Sequence, residues 1–464
     1  MKLPDFFKEY FKQLMEEQEY RAFLDAFDGA RCYGIRVNTL KIRPDELLSL
    51  LERDLEPVPW APTGFYYPEG ESFGKHPAYH AGLYYIQEPS AMMPAEALAP
   101  EPGEKVLDLC AAPGGKTTAL GGKMRNQGLL VSNDVSPKRV KALVKNVELM
   151  GLTNTFITNE TPDRLKTFFP EYFDRILLDV PCSGEGMFRK DREAVQSYSK
   201  YKSGECAALQ RAIFDSAYAM LKPGGIIVYS TCTFNPRENE ENIEFFLNNY
   251  DIEADRLEPT GGFESSRGSW TKSKDQSLSA GLRLWPHRAR GEGHFVFRLK
   301  KKGERKGNGQ LASNAGYTSK EAEQAAEIYR DFASDSLNGL QEGIYHLQGS
   351  SLYLLPAYME KLPPVRWEKA GLYLGECRNG RFEPSQSLLM AKKPREFRRV
   401  IRFDRNDHNI IRYLKGETLF HAVDKGYAGS RGYAAVCYED YPLGWVKQDG
   451  EMLKNLYPKS WRMM

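Results

Sequence analysis

An α/β protein whose core is a parallel sheet is the fold class that the 464-residue sequence predicts. Three observations carry that expectation. From Glu104 onward, short apolar runs alternate with helical stretches, the signature of a βαβ series around buried strands. One strand breaks into Pro-Gly-Gly and opens directly onto a helix, in LDLCAAPGGKTTAL (residues 107–120). Composition, with 41% apolar and 27% charged residues, is that of a folded chain rather than a disordered one. At this length the chain has room for two or three domains of roughly 100–200 residues each.

Residues 1–90 read as a small α+β lead-in domain. Phe7, Phe11, Leu14 and Met15 share one apolar stripe, continued by Tyr20, Phe23, Leu24 and Phe27, which predicts helix over 5–28. GIRVNTL (34–40) is strand-like, Pro44 to Glu52 helical, and Trp60–Tyr67 and Tyr84–Gln87 extended and aromatic. Residues 91–300 read as the main α/β domain. KVLDL, GLLVSND, NTFIT, FDRILLD and GGIIVYST supply its buried strands, and HFVFRLK (294–300) is its last. Residues 301–317 are a charged, Gly-rich linker without periodicity. A first C-terminal domain, 318–387, begins with the Ala-rich helix SKEAEQAAEIYRDFA and continues with strand-like YHLQG and LYLL. The final domain, 388–464, contains RRVIRF, AAVCYED and GWVKQDG, short strands bounded by turn residues.

Several classes are excluded. No apolar run approaches the ~18 residues of a membrane helix, and the N-terminus mixes acids with apolar residues, unlike a targeting segment. Seven cysteines with no CxxC spacing make neither a disulfide framework nor a zinc site, so no metal is expected and a reducing, cytoplasmic compartment is. The 64 basic residues nearly cancel the 62 acidic ones. Locally they do not: residues 388–464 hold 15 Lys and Arg against 9 Asp and Glu, an excess suited to RNA phosphates. Phe403, Tyr413, Tyr427, Tyr433 and Trp461 lie among them and read singly as core residues. Arg189, Lys190 and Arg192 form a second basic run, either solvated or placed to reach phosphates.

The strand-Gly-Gly-helix turn is a place where a ligand can approach the backbone and meet free helix N–H groups. One strand later, Asp134 ends GLLVSND, positioned to accept hydrogen bonds from a ribose or to cap the helix that starts near Pro137. The turn lacks the G-x-G-x-x-G phosphate cradle, so a nucleoside cofactor without a pyrophosphate, such as S-adenosylmethionine, fits better than NAD. Lys116 reaches a carboxylate of that cofactor or is a solvated first-turn lysine.

Two further strands end in cysteine. FDRILLDVPCSGEGMFRK (173–190) ends in Asp179 and then Pro181-Cys182; IIVYSTCTFNPRENEEN (226–242) ends in Thr231-Cys232-Thr233. In an open α/β sheet both thiols face the crevice beyond the carboxyl ends of the strands, with the glycine loop. Methylation at carbon 5 of a pyrimidine uses such a pair. That carbon is not nucleophilic until a thiolate adds at carbon 6, which splits one hard step into easier ones. Asp179 is placed to hold the N3/N4 edge of a cytosine.

These segments resemble the NOL1/NOP2/Sun family of RNA 5-methylcytosine methyltransferases. The matching stretches are RVNTLK (36–41), YIQEPSAMMPAEAL (85–98), LDLCAAPGGKT, SNDVSPKRV, LLDVPCSGEGMFRK and YSTCTFNPRENE. The C-terminal LGWVKQDGEMLKNLYPKSWR (443–462) is similar to the end of the bacterial RsmF-like branch, which acts on 16S ribosomal RNA and carries a PUA-like RNA-binding module. The resemblance implies a Rossmann-like, S-adenosyl-L-methionine-dependent core that methylates cytosine carbon 5 in ribosomal RNA, acting as a monomer. It implies Cys232 as nucleophile, Cys182 as the residue assisting RNA release, and Asp179 beside both ligands. Cofactor contacts implied are Cys110, Ala111, Ala112, Pro113, Gly114, Gly115 and Lys116, with Asp134, Arg139 and Asp179. An adenine-contacting Asp of many relatives is absent here, leaving Glu160 or Thr161 at that place, and His294 stands where relatives often have an aromatic residue. A transfer RNA substrate, or a noncatalytic RNA-binding assembly factor, is the alternative reading.

Overall fold

The computed structural model describes residues 3–463, apart from 191, 199–202, 305–317, 357–358, 360–361 and 421–430. Most of the expected linker, and Tyr427, lie outside the described residues, as does the side chain of Arg192.

At the centre, five strands run parallel: Lys105–Asp108, Leu129–Asn133, Thr155–Thr158, Phe173–Asp179 and Leu221–Thr231. Their apolar residues are almost wholly buried, as in a sheet covered on both faces. In space, 105–108 lies between 129–133 on one side and 173–179 on the other. The order of connection therefore reverses at 105–108, and a crevice opens beyond the carboxyl ends of these strands.

The sheet is mixed rather than wholly parallel. His294–Lys301 lies antiparallel beside Leu221–Thr231, with Phe295 opposite Thr231, so His294 is at the same end as Cys232. Short strands Phe263–Ser265 and Leu282–Leu284 extend that side. On the far side Trp367–Ala370, from the region expected to form a separate C-terminal domain, pairs antiparallel with Thr155–Thr158 and closes the sheet edge.

The N-terminal stripe forms two helices, Asp5–Leu14 and Glu17–Asp25, because Met15 and Glu16 are extended between them. Phe7, Phe11, Phe23 and Phe27 pack with Phe188, Phe234 and Trp285 in one aromatic cluster. Phe188 follows the Cys182 loop and Phe234 follows Cys232, so these helices buttress both cysteine loops.

Helix Lys320–Ser336 packs with a four-stranded sheet and a five-stranded one that form the C-terminal part. Its Ala325, Ala326 and Tyr329 share a single apolar core with Leu47 of helix Pro44–Leu51, Leu149 of helix Pro137–Leu149 and Trp445 of the last sheet. Phe403, Tyr413 and Trp461 are buried there, so they serve packing rather than base stacking. Tyr433 is partly buried, its ring centre 6.2 Å from that of Trp445.

Candidate active site

A cleft of about 430 Å³ lies at the switch point, within the size range of small-molecule sites. Four strand ends build it. Lys105–Asp108 delivers the glycine loop, whose Gly114 has φ +110°, a conformation side chains rarely adopt. Helix Gly115–Met124 then begins despite containing Gly121 and Gly122. A Cβ added to Gly121 would come 2.3 Å from Leu152 Cδ2, so packing against its neighbour, not propensity, explains that glycine.

Leu129–Asn133 delivers Asp134, which is buried. Its Oδ1 accepts from Ser136 N at 2.9 Å and its Oδ2 from Ala112 N at 3.3 Å, with Arg139 Nη1 also 3.3 Å from Oδ2. The helix cap is not Asp134 but Ser136, whose Oγ accepts from Arg139 N. Asp134 is thereby left to orient the loop. Arg139 lines the cleft and bonds Ala112 O as well.

Phe173–Asp179 delivers Asp179. Lys116 Nζ donates to its Oδ2 at 2.7 Å, and Ser230 Oγ to its Oδ1 at 2.9 Å. Lys116 is therefore no solvated lysine. Burial works against the Asp179 charge, but the Lys116 ammonium, with the hydrogen bonds from Lys116 and Ser230 among the opposing effects, holds the carboxyl below its usual range. His294 Nε2 stands 3.7 Å from Asp179 Oδ1 and has no hydrogen-bond partner. Burial, aided by Lys116, pushes its imidazole down to about 3, so it is neutral. Asp108, one turn beneath, is pushed up to about 7 by burial while accepting from Thr117 Oγ1 at 2.7 Å.

Leu221–Thr231 delivers Cys232, which lines the cleft. Cys182 lies behind it, the two sulfurs 3.4 Å apart. The loops that hold them are tied together: Gly186 N donates to Cys232 O at 2.8 Å, and Ser183 Oγ lies 2.7 Å from Thr233 Oγ1. Beneath them, buried Glu238 accepts from Ser183 N and Gln210 Nε2, and buried Glu185 from Phe234 N and Tyr198 Oη. The hydrogen bond to Cys232, with burial, pushes the Cys182 thiol well up, so it keeps its proton. Burial raises Cys110 too, which makes it an inert lining thiol.

Other expected residues are placed elsewhere. Arg189 is buried and committed: its Nε donates to Glu292 at 2.7 Å, and its Nη atoms reach the carbonyls of Ala26, Ala30 and Gly291. It ties the Pro-Cys loop to the segment 26–30, and its guanidinium is occupied by these partners. Lys190 does line the cleft. Thr161 caps helix Pro162–Lys166 through Arg164 N, and Glu160 accepts from Arg366 N at 2.7 Å; neither lines the cleft. Conversely, Tyr85, Gln87 and Glu88 line it without having been expected to. They come from YIQEPS, whose match to the family was visible although it carries no chemical motif. Arg36, from RVNTLK, is buried beneath them, donating to Gln87 Oε1 at 2.6 Å, Thr118 Oγ1 at 2.7 Å and the Gly115 carbonyl.

The donor set fits a cationic nucleoside cofactor. Gly115 lies close beneath the cleft wall, since a Cβ there would come 3.2 Å from Tyr85 Cε1 and 3.3 Å from Gln87 Nε2, tight enough that those side chains would have to give. The lining holds three cations, Lys116, Arg139 and Lys190, and three carboxylates, Glu88, Asp179 and Glu292. No cluster of metal-ligating residues occurs among the described residues.

Four family profiles match along the chain: the N-terminal domain of 16S rRNA methyltransferase RsmF over residues 3–89, 16S rRNA methyltransferase RsmB/F over 95–300, the RsmF first C-terminal domain over 331–391, and the RsmF PUA domain over 400–463. The chain is 32% identical to ribosomal RNA small subunit methyltransferase F of Erwinia tasmaniensis, over 98% of this chain and 96% of that protein. It is 35% identical to the protein of that name from Shewanella loihica, over 92% and 88%. A methyltransferase homolog from Pyrococcus horikoshii superposes with TM-score 0.55 at 33% identity, covering 61% of this chain and 91% of that one. NSun6 from the same organism, solved with SFG, shares the fold with TM-score 0.56 at 22% identity, over 65% of this chain and 99% of that one. With profiles along its length and relatives matched almost end to end, the chain belongs to the RsmF family of S-adenosylmethionine-dependent methyltransferases.

Proposed function

We propose that this protein methylates carbon 5 of a cytosine in 16S ribosomal RNA through a covalent bond between Cys232 and carbon 6. One observation carries the reading: two thiols 3.4 Å apart at adjacent strand ends, one facing the cleft and the other behind it still protonated. A fold retained only for RNA binding has no use for that pair.

Cys232 gives up its proton to water and adds as thiolate to carbon 6, breaking the ring's aromaticity and concentrating electron density on carbon 5. S-adenosylmethionine, when bound, supplies the methyl group that carbon 5 takes up; the loop Cys110–Lys116, Asp134, Arg139 and Asp179 are the residues that would hold it. Asp179, ionised, accepts from the exocyclic amine of the base and so selects cytosine. Carbon 5 then loses its proton to water in the cleft, the C5–H electrons re-form the C5–C6 double bond, and the S–C6 bond breaks with its electrons returning to Cys232. Cys182 carries the proton that stabilises this departing sulfur, which is its role in release.

Bisulfite sequencing of 16S rRNA with and without the gene tests the assignment: one or more cytosines lose their mark when the gene is deleted. Cys232→Ala is expected to abolish transfer, and Cys182→Ala to accumulate protein cross-linked to RNA on denaturing gels. Full activity of Cys232→Ala overturns the mechanism.

A further inference from the structure

The two helices that begin at the cofactor loops end together at a second cleft, of about 530 Å³. Helix Gly115–Met124 leads to Arg125 and Asn126, and helix Pro137–Leu149 to Met150 and Gly151. The other walls are Leu40 and Lys41 of the lead-in domain and residues 390–395, 402 and 440–442 of the C-terminal part. Five cations line it, Arg125, Lys392, Lys393, Arg395 and Arg402, against the single carboxylate of Asp440, together with Lys41, whose ammonium burial pushes down to about 7. The catalytic cleft, with three of each sign, offers a polyanion no comparable attraction.

Lys41 and two of the cations have ordinary structural employment. Lys41 Nζ donates to the carbonyls of Ala81 at 2.9 Å and Leu149 at 3.0 Å. Lys392 pairs with Glu396 at 3.1 Å, and Arg402 with Asp440 at 3.1 Å. Arg125, Lys393 and Arg395 are exposed and form no ion pair among the described residues. Arg125 also stands at φ +52° and Asn126 at +57°, where a helix commonly ends in glycine. A strained arginine at an unpaired position needs a reason beyond the fold.

The walls are held in fixed relation. Gly151, at φ +76°, admits Met390 so closely that a Cβ there would sit 2.7 Å from the Met390 carbonyl oxygen. Along helix Gly115–Met124, ten residues long, the cleft lies about 15 Å from the cofactor loop. That separation equals roughly four to five nucleotides of stacked strand, at about 3.4 Å each.

We infer that this cleft is a phosphate-binding site that grips the RNA backbone a few nucleotides from the target cytosine, through Arg125, Lys393 and Arg395. The inference rests on the ribosomal RNA reading above. It makes methyl transfer and RNA anchorage separable: one cleft does chemistry with little net charge, the other contributes affinity without reading bases.

The test is the full-length triple variant Arg125→Asn, Lys393→Gln, Arg395→Gln, with asparagine chosen because it tolerates the left-handed backbone. A control variant neutralises three exposed lysines elsewhere, Lys75, Lys272 and Lys320. Binding to transcribed 16S rRNA is measured over a salt series, with S-adenosylmethionine affinity and thermal unfolding in parallel. The expected result is at least a tenfold loss of RNA affinity and a log–log salt slope shallower by about 2–3, from three contacts at roughly 0.7–0.9 each. Cofactor affinity, unfolding temperature and turnover at saturating RNA stay unchanged. Wild-type affinity and slope in the triple variant overturn the inference, as does an equal loss in the control. Failure of the wild-type protein to methylate 16S rRNA at all sinks the underlying reading instead.

Discussion

Replacing His294 with phenylalanine isolates the energetic consequence of burying a neutral imidazole between Lys116 and Asp179. The side chain is 3% exposed and its folded pKa is about 3, against an ordinary value of 6.5. As pH falls below 6.5, the unfolded chain takes up a proton that the folded chain refuses until near pH 3. Folding stability is therefore lost on acidification through this window. Between pH 7.5 and pH 5 the loss comes to about 2 kcal/mol, from 1.36 kcal/mol per pH unit over roughly 1.5 units. Asp108 and Glu185, both pushed up to about 7 by burial, act in the opposite direction, favouring the folded state as pH falls from 7 toward 4. They are present in both proteins and cancel in the difference. Urea unfolding at the two pH values reads the effect: the wild type is expected to lose about 2 kcal/mol more than His294→Phe on moving to pH 5. Parallel pH dependence in the two proteins would show that the imidazole is not held neutral, and the argument fails.

Other substitutions probe the same scaffold. Arg36→Lys keeps the charge but loses the planar fork that meets Gln87, Thr118 and the Gly115 carbonyl; about 1–3 kcal/mol is expected for each buried partner left unmet, read as a lowered unfolding midpoint and weaker cofactor binding by calorimetry. Gly114→Ala forces a side chain to φ +110° and brings its Cβ 3.1 Å from Leu143 Cδ1, so a loss of about 1–3 kcal/mol is expected on thermal melting. Asp179→Asn removes the charge that Lys116 meets and the acceptor proposed for the cytosine amine; turnover on 16S rRNA is expected to fall by about 10²-fold or more, and activity within threefold of wild type would refute that role.

The meeting place of the expected site residues was legible because several of them follow the carboxyl ends of strands, and such ends can be read from short apolar runs. Cys182, Cys232, Asp179 and Asp134 all follow that rule. Arg189 did not, because nothing local distinguishes an arginine aimed at solvent from one that finds Glu292, 103 residues later, and three backbone carbonyls. Tyr85 and Gln87 were hidden for the converse reason: they come from outside the βαβ series, and only the packing of Arg36 beneath helix Gly115–Met124 brings them to the cofactor loop. The single N-terminal helix expected from the phenylalanine stripe is divided at Met15 and Glu16, since both halves must turn the same aromatic face toward Phe188 and Phe234.

Strand Trp367–Ala370, which closes the sheet beside Thr155–Thr158, has a bearing on how the chain is made. During vectorial synthesis its partner edge emerges first, and some 200 further residues must be added before the covering strand arrives. At roughly 5–20 residues per second, that edge stands open for about 10–40 seconds. An unpaired strand of TFIT is a template for other chains during this interval. A nascent protein halted near residue 300 would thus carry every residue that lines the cleft and still be prone to associate through its own unfinished sheet.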